Sequence, residues 1–194
     1  MYFYVTSRIR IGLDGIICLL LLPFCRITRS FFVLMLAAAL HEAAHVAAIY
    51  LLGSDVALFT IGPAGAEIRQ GRPLGDTKSF FVMLCGPASN LLFGGLSIIY
   101  MHIFGYNSDV LFFCVSSFSL ALFNLLPIRA LDGGQMLFFL LRGRLGRRIE
   151  KLLFVSSFLC VVLLWLLAMS MLLCGEVNVS LISVCIYLFF CFIW

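Results

Sequence analysis

Apolar residues in this chain gather in long unbroken blocks, roughly 11–25, 31–52, 79–104, 110–141, 152–174 and 178–194, separated by short polar or glycine- and proline-bearing stretches. A helix needs about 20 apolar residues to cross a hydrocarbon core of about 30 Å. The pattern therefore predicts an all-α polytopic membrane protein with about six transmembrane helices. The first block is short and carries Asp14, which suits a tilted or partly interfacial helix. It is not read as a cleaved signal, because no small-residue cleavage site follows it and Pro23-Phe24-Cys25-Arg26 reads as a turn into the next helix. The fourth block is too long for one span: 110–141 as a single helix would run about 48 Å. Pro127 and the pair Gly133-Gly134 supply a break, which predicts a broken fourth helix. Irregular backbone at membrane depth is tolerated only where protein or water satisfies the freed polar groups. Between the second and third blocks, β-favouring 56–61 and 66–69 flank Gly62-Pro63-Ala64-Gly65. That predicts a short membrane-associated β-hairpin whose edge can accept an extended peptide.

Composition narrows the class without changing the picture. The chain is 63% hydrophobic and 11% charged, with a mean hydropathy of +1.15, and such a chain has too little polar surface for a soluble domain. One membrane domain over 1–194 is expected, with no soluble nucleotide-sensing or PDZ-like appendage. Arg142, Arg144, Arg147, Arg148 and Lys151 cluster between the fourth and fifth blocks, which places that loop in the cytoplasm. Arg8 and Arg10 then fall on the cytoplasmic side as well, while Arg26 and Arg29 fall outside against the rule. In this topology the second and fourth spans run in the same direction. The net charge of +4 is accounted for by orientation and gives no case for nucleic acid. The eight cysteines lie in or beside apolar blocks with no C-x-x-C spacing, so they read as small buried hydrophobes.

The chemistry sits in the second block, where LMLAAAL precedes and VAAIYLL follows His41-Glu42-Ala43-Ala44-His45. Residues four apart on a helix share a face, so both imidazoles can bind one metal. Glu42 stands beside them, placed as a general base toward the attacking water. Polar packing between transmembrane helices is the alternative, but ionisable groups in spans are costly and are functional by default. A hydrolytic zinc site keeps three protein ligands. His102 lies at the far end of the third block, where an interfacial histidine is the simpler reading. Asp132, after the predicted break, is the better third ligand, with a helix-capping role as its alternative.

These elements carry a resemblance. HEAAH in a span, GPASN at 86–90 and NLLPIRALDGG at 124–134 resemble the site-2 protease family of intramembrane zinc metalloproteases. The branch most like it is the stage IV sporulation protease that processes a membrane-tethered sigma-factor precursor. The likeness extends over about 30–145 and takes in LFTIGPAGAEI at 58–68 and GRPLGDTKSFFVMLCGP at 71–87. It implies one Zn2+ per chain held by His41, His45 and Asp132, Glu42 as the general base, and a substrate-binding role for Asn124. It also implies a membrane-tethered protein substrate and a bacterial multi-pass location in the cell membrane; the charge-based orientation opens the active site to the cytoplasm, and without a soluble sensing domain any regulation is expected from a membrane partner. Asn124 is alternatively a polar interhelical contact, and Asn90 reads first as structural. Arg129-Ala130 depart from the prolines and bulky apolar residues usual between NLLP and LDGG, which bears on substrate preference. A zinc transporter would need a second ligand cluster, and a catalytically silent scaffold would have lost Glu42 or a ligand. A CaaX-type peptidase would place Glu, not Asp, as third ligand.

Overall fold

The computed structural model describes residues 2–6, 9–12, 29–62, 65–174, 185–186 and 188–189. It divides into two compact units, one up to Phe123 and one from Asn124.

In the first unit, α1 (Arg29–Leu51) and α2 (Asp76–Phe104) realise the second and third apolar blocks. Both are long and apolar enough to cross a membrane. The buried residues of α1, Ala37, His41, His45, Ala48 and Ile49, recur at helical spacing and form one stripe. Phe32, Leu36, Tyr50 and Leu51 point outward instead. A helix whose outward faces are apolar and whose buried stripe is small and polar inverts the pattern of soluble proteins and suits lipid as its solvent. At the end of α1, Gly53 takes φ +89°. Ser54 N–H then bonds the Ile49 carbonyl at 3.0 Å and Gly53 N–H the Tyr50 carbonyl at 3.2 Å, a Schellman closure. Lys78 Nζ, from the start of α2, donates to the Leu52 carbonyl at 2.9 Å, adding a cation where the helix dipole favours one. Below this closure Ala48, Ile49, Val56 and Val82 form the unit's core cluster.

The connection from α1 to α2 contains β3 (Val56–Gly62) and β4 (Gly65–Gln70), paired antiparallel with Gly62 opposite Gly65. Two further strands, β1 (Tyr2–Thr6) and β2 (Ile9–Gly12), join them in the order β1-β2-β3-β4, with β2 parallel to β3. The apolar-block reading had no strands before residue 56; Ile11 and Gly12, expected in the first span, belong to β2. The sheet order decides which strand of the expected hairpin lies at an edge. β3 is an inner strand with neighbours on both sides, so the outer strands of the described sheet are β1 and β4. The unit closes with α3 (Ser108–Asn124), a shorter apolar helix. Cys114 Sγ reaches the Gly94 carbonyl at 3.4 Å, and the Phe118 ring lies against Gly94.

In the second unit, α4 (Asp132–Leu145) and α5 (Arg148–Leu173) follow the break. The block 110–141 is thus two helices with 125–131 between them. Among the described residues of this unit, only α5 has the length and hydropathy of a span. Its buried residues Ile149, Leu153, Ser157, Val161 and Ala168 again mark one face. Among the described residues three helices are long and apolar enough to cross. The expected first and last spans lie largely outside the described residues, apart from 11–12 and the helical pairs 185–186 and 188–189.

Candidate metal centre

His41 and His45 are each only 6% exposed, on a helix otherwise lined with alanine at this level. The alanines are the local reason the site can exist: they keep α1 thin where α2 approaches. Gly86 completes the approach, because a Cβ there would overlap both the His45 and His41 imidazoles. Pro87, next in sequence and inside α2, removes one rung of the helical ladder at the same turn.

The ring atoms have defined partners. His45 Nδ1 lies 2.8 Å from the Val82 carbonyl. A carbonyl only accepts, so Nδ1 carries the hydrogen and the neutral ring presents a lone pair at Nε2. That Nε2 lies 3.2 Å from His41 Nε2, with the two rings at 79° to one another. Two nitrogens bound to one tetrahedral zinc at about 2.0–2.1 Å stand about 3.3 Å apart. The pair therefore fits a shared metal without rearrangement. His41 Nδ1 in turn faces Asn90 Nδ2 at 3.2 Å, and Asn90 is fully buried. A histidine ligand whose second nitrogen donates to a carbonyl, as His45 Nδ1 does to Val82, has the outer support that metal sites employ to fix ring orientation. Glu42, one residue on, is half-buried.

The other predicted residues belong to the second unit. Asn124 stands at the end of α3, half-buried. Asp132 is the first residue of α4, also half-buried, where a carboxylate sits favourably at the positive end of the helix dipole. The break before it is built from specific contacts. Ile128 N–H bonds the Leu126 carbonyl at 2.7 Å, and Leu131 N–H bonds the Ile128 carbonyl at 2.9 Å. Two serines of α5 take groups that the interrupted helix leaves over. Ser157 Oγ accepts from Arg129 N–H at 2.9 Å, and Ser156 Oγ donates to the Pro127 carbonyl at 2.8 Å. Gly133 and Gly134 pack directly on this backbone: a Cβ would overlap the Leu125 carbonyl at the first and the Ile128 carbonyl at the second. The glycines therefore serve the fold-back at Asp132. His102 is exposed in the last turn of α2.

Sequence reasoning did not give Val82, Gly86, Ser156 and Ser157 these roles. Val82 acts through its carbonyl and leaves no side-chain signal. The adjacent serines in an otherwise apolar helix were a readable signal of a polar partner at that depth.

Residues 101–167 match the model of the peptidase family M50. That stretch contains Asn124 and Asp132 and leaves out the HEAAH helix. No curated protein sequence matches the chain at a significant level. Among solved structures, the chain is similar to the site-2 protease from Methanocaldococcus jannaschii, with a TM-score of 0.68 and 20% identity over 98% of this chain and 92% of that one. The protein has the site-2 protease fold.

Proposed function

We propose that the protein is an intramembrane zinc metalloprotease that hydrolyses a peptide bond of a membrane-tethered protein within or near the bilayer. The observation that carries this reading is the His41–His45 pair. The two Nε2 atoms are buried 3.2 Å apart on a helix of membrane-spanning length, with Glu42 between them in sequence. The match to the M50 family, whose members are intramembrane metalloproteases, and the site-2 protease fold support it independently.

Asp132 is the third ligand in this reading, which makes His41, His45 and Asp132 the three donors proposed for one Zn2+ per chain. When bound, the metal polarises the scissile carbonyl and makes water acidic enough to attack at neutral pH. Glu42 takes the proton from the attacking water and hands it to the leaving amine. His45 Nδ1–H on the Val82 carbonyl holds its ring in the orientation this requires. Asn124 donates a hydrogen bond to the substrate backbone. The outer strand β4, rather than the inner β3, is the edge an unwound substrate joins.

The substrate is a regulatory membrane protein such as a sigma-factor precursor, as in sporulation, and a membrane partner governs access to it. The protein lies in the bacterial cell membrane as a multi-pass chain with its active site open to the cytoplasm, and nucleic acid plays no part. Cleavage of a membrane-tethered candidate by purified, zinc-loaded protein in liposomes tests the proposal. Glu42→Gln should retain zinc and lose about 10²–10⁴-fold in rate, the range of a positioned general base. A variant that cleaves at the parental rate removes Glu42 from the mechanism. Zinc uptake and transmembrane zinc flux without any cleavage would favour a transporter. A protein with neither zinc nor activity would be a scaffold.

A further inference from the structure

Arg129 lies in the irregular segment 125–131, apart from Arg142, Arg144, Arg147 and Arg148, which gather around the turn between α4 and α5. Its backbone is held at both polar groups. Ser157 Oγ accepts from its N–H at 2.9 Å, and its carbonyl accepts from Gln135 Nε2 at 3.2 Å. Gly134 packs against the same stretch, where a Cβ would also meet the Arg129 nitrogen. The side chain, by contrast, is exposed. Those bonds need only a backbone, so they explain the position of Arg129 and not its guanidinium. An ionisable group between apolar helices is costly and functional by default.

The surroundings indicate what the guanidinium meets. A recess of about 80 Å³ is lined by Arg129, Gly134, Gln135, Phe138 and Leu153, with no acidic side chain among them. One water needs about 10–15 Å³, so a side-chain carboxylate fits. Gln135 is three residues after Asp132 in α4 and shares its face of the helix. The recess thus borders the face that carries the proposed third ligand. Covalent reach sets the scale: three residues span at most about 11 Å, so the Cα atoms of Arg129 and Asp132 are no farther apart than that. An extended peptide covers the same distance in about three residues. A guanidinium is a planar fork of donors that matches a carboxylate. A lipid phosphate meets the same fork, but a mobile surface cation suffices for a headgroup, whereas Arg129 is fixed through both backbone groups beside the ligand segment.

We propose that Arg129 is a specificity-determining residue that pairs with an acidic side chain of the substrate, about three residues from the scissile bond. The assignment deepens the protease reading and rests on it, with Asp132 at the place of cleavage. It turns the departure at Arg129-Ala130 into a stated preference: a membrane-tethered protein with Asp or Glu close to its cleaved bond.

Two apolar peptides that differ only in a central Glu or Gln test this. They are titrated by fluorescence anisotropy against zinc-loaded Glu42→Gln protein in phosphatidylcholine nanodiscs, where binding is read without turnover. The Glu peptide should bind about 3–5-fold more tightly, the upper part of the range for an ion pair open to solvent, and the margin should shrink at high salt. With Arg129→Ala added, the two peptides should bind alike. With Arg129→Glu added, a Lys twin should become the tighter peptide. Both variants keep the N–H and carbonyl that hold the segment, and circular dichroism checks that the fold is retained. Equal affinity for the Glu and Gln peptides before Arg129 is changed, or a Glu preference that survives Arg129→Ala, overturns the assignment. Equal peptide binding together with co-purifying phosphatidylglycerol that is lost only in Arg129→Ala also overturns it, and gives the guanidinium to a lipid phosphate. A parent that cleaves nothing overturns the protease reading instead; the affinity difference then still decides whether Arg129 selects an acidic peptide.

Discussion

The histidine region and the aspartate region solve the same problem, a polar group among apolar helices, by opposite means. Around His41 and His45 the backbone stays regular and polar satisfaction comes through close approach: alanines on α1, Gly86 on α2, then Val82 and Asn90 as partners of the rings. Around Asp132 the backbone itself is interrupted, and side chains from α5 take up the groups the helix releases. In the first region glycine admits an imidazole; in the second, glycine admits a carbonyl. The difference teaches where each region is fragile. The histidine region depends on volume, and the aspartate region on hydrogen bonds.

The largest effects should come from removing ligands, and they test whether the two regions act on one metal. His45→Ala and Asp132→Ala should each weaken zinc binding by more than about 100-fold, beyond the loss typical of an outer-shell partner. Equilibrium competition on purified protein reads both. If Asp132→Ala retains parental affinity while His45→Ala does not, the aspartate region serves the fold alone and the third ligand lies elsewhere.

How much of this was legible beforehand differs between the regions for a physical reason. The His41–His45 spacing maps directly onto a helix face, because a regular helix fixes which residues are neighbours. The membrane class was equally plain, since apolar blocks of spanning length leave few alternatives. The break at 125–131 was readable as a length excess plus Pro127, yet its partners Ser156 and Ser157 were not assigned, because irregular backbone has no period that points to a partner. Val82 was invisible for the same reason: the group that matters is its carbonyl. The strands β1 and β2 were missed because 9–12 border an apolar block read as helix. The β-branched and aromatic residues of Tyr2–Thr6 were the available signal. The inner position of β3 depends on those strands and could not have been read from 56–69 alone.

The glycines offer a sharper comparison at intermediate effect. Gly86→Ala places a methyl group into both imidazoles, and Gly134→Ala places one into the Ile128 carbonyl. Each should destabilise by about 1–3 kcal/mol, the usual consequence of overpacking. Their zinc affinities should differ. Gly86→Ala should lose affinity by at least about tenfold, because the rings must move from the positions that suit a shared tetrahedral metal. In Gly134→Ala the imidazole pair is untouched, so any fall in affinity should track the loss of stability. Denaturant titration in detergent, run beside zinc competition, separates the two. A Gly86→Ala protein with parental affinity would mean that the histidine region is not limited by volume.

The smallest effects should come from the serines that hold the break, and their order is informative. Ser157→Ala leaves the Arg129 N–H without its 2.9 Å acceptor on a face where Ser157 is only 2% exposed. Ser156→Ala takes a donor from the Pro127 carbonyl, but the Ser156 hydroxyl is shared with the Leu153 carbonyl at 3.1 Å, so less is lost. An orphaned N–H is tolerated less well than an under-satisfied carbonyl with two lone pairs. Ser157→Ala should therefore cost about 1–2 kcal/mol, within the range for a buried group left unpaired. Ser156→Ala should cost about 0.5 kcal/mol, near the average for hydrogen bonds between membrane helices. Zinc affinity should change little in either, because neither serine is a ligand. Equal stability of parent and both variants would show that the irregular segment is held by packing on Gly133 and Gly134. The two regions would then share one mechanism, volume, rather than two.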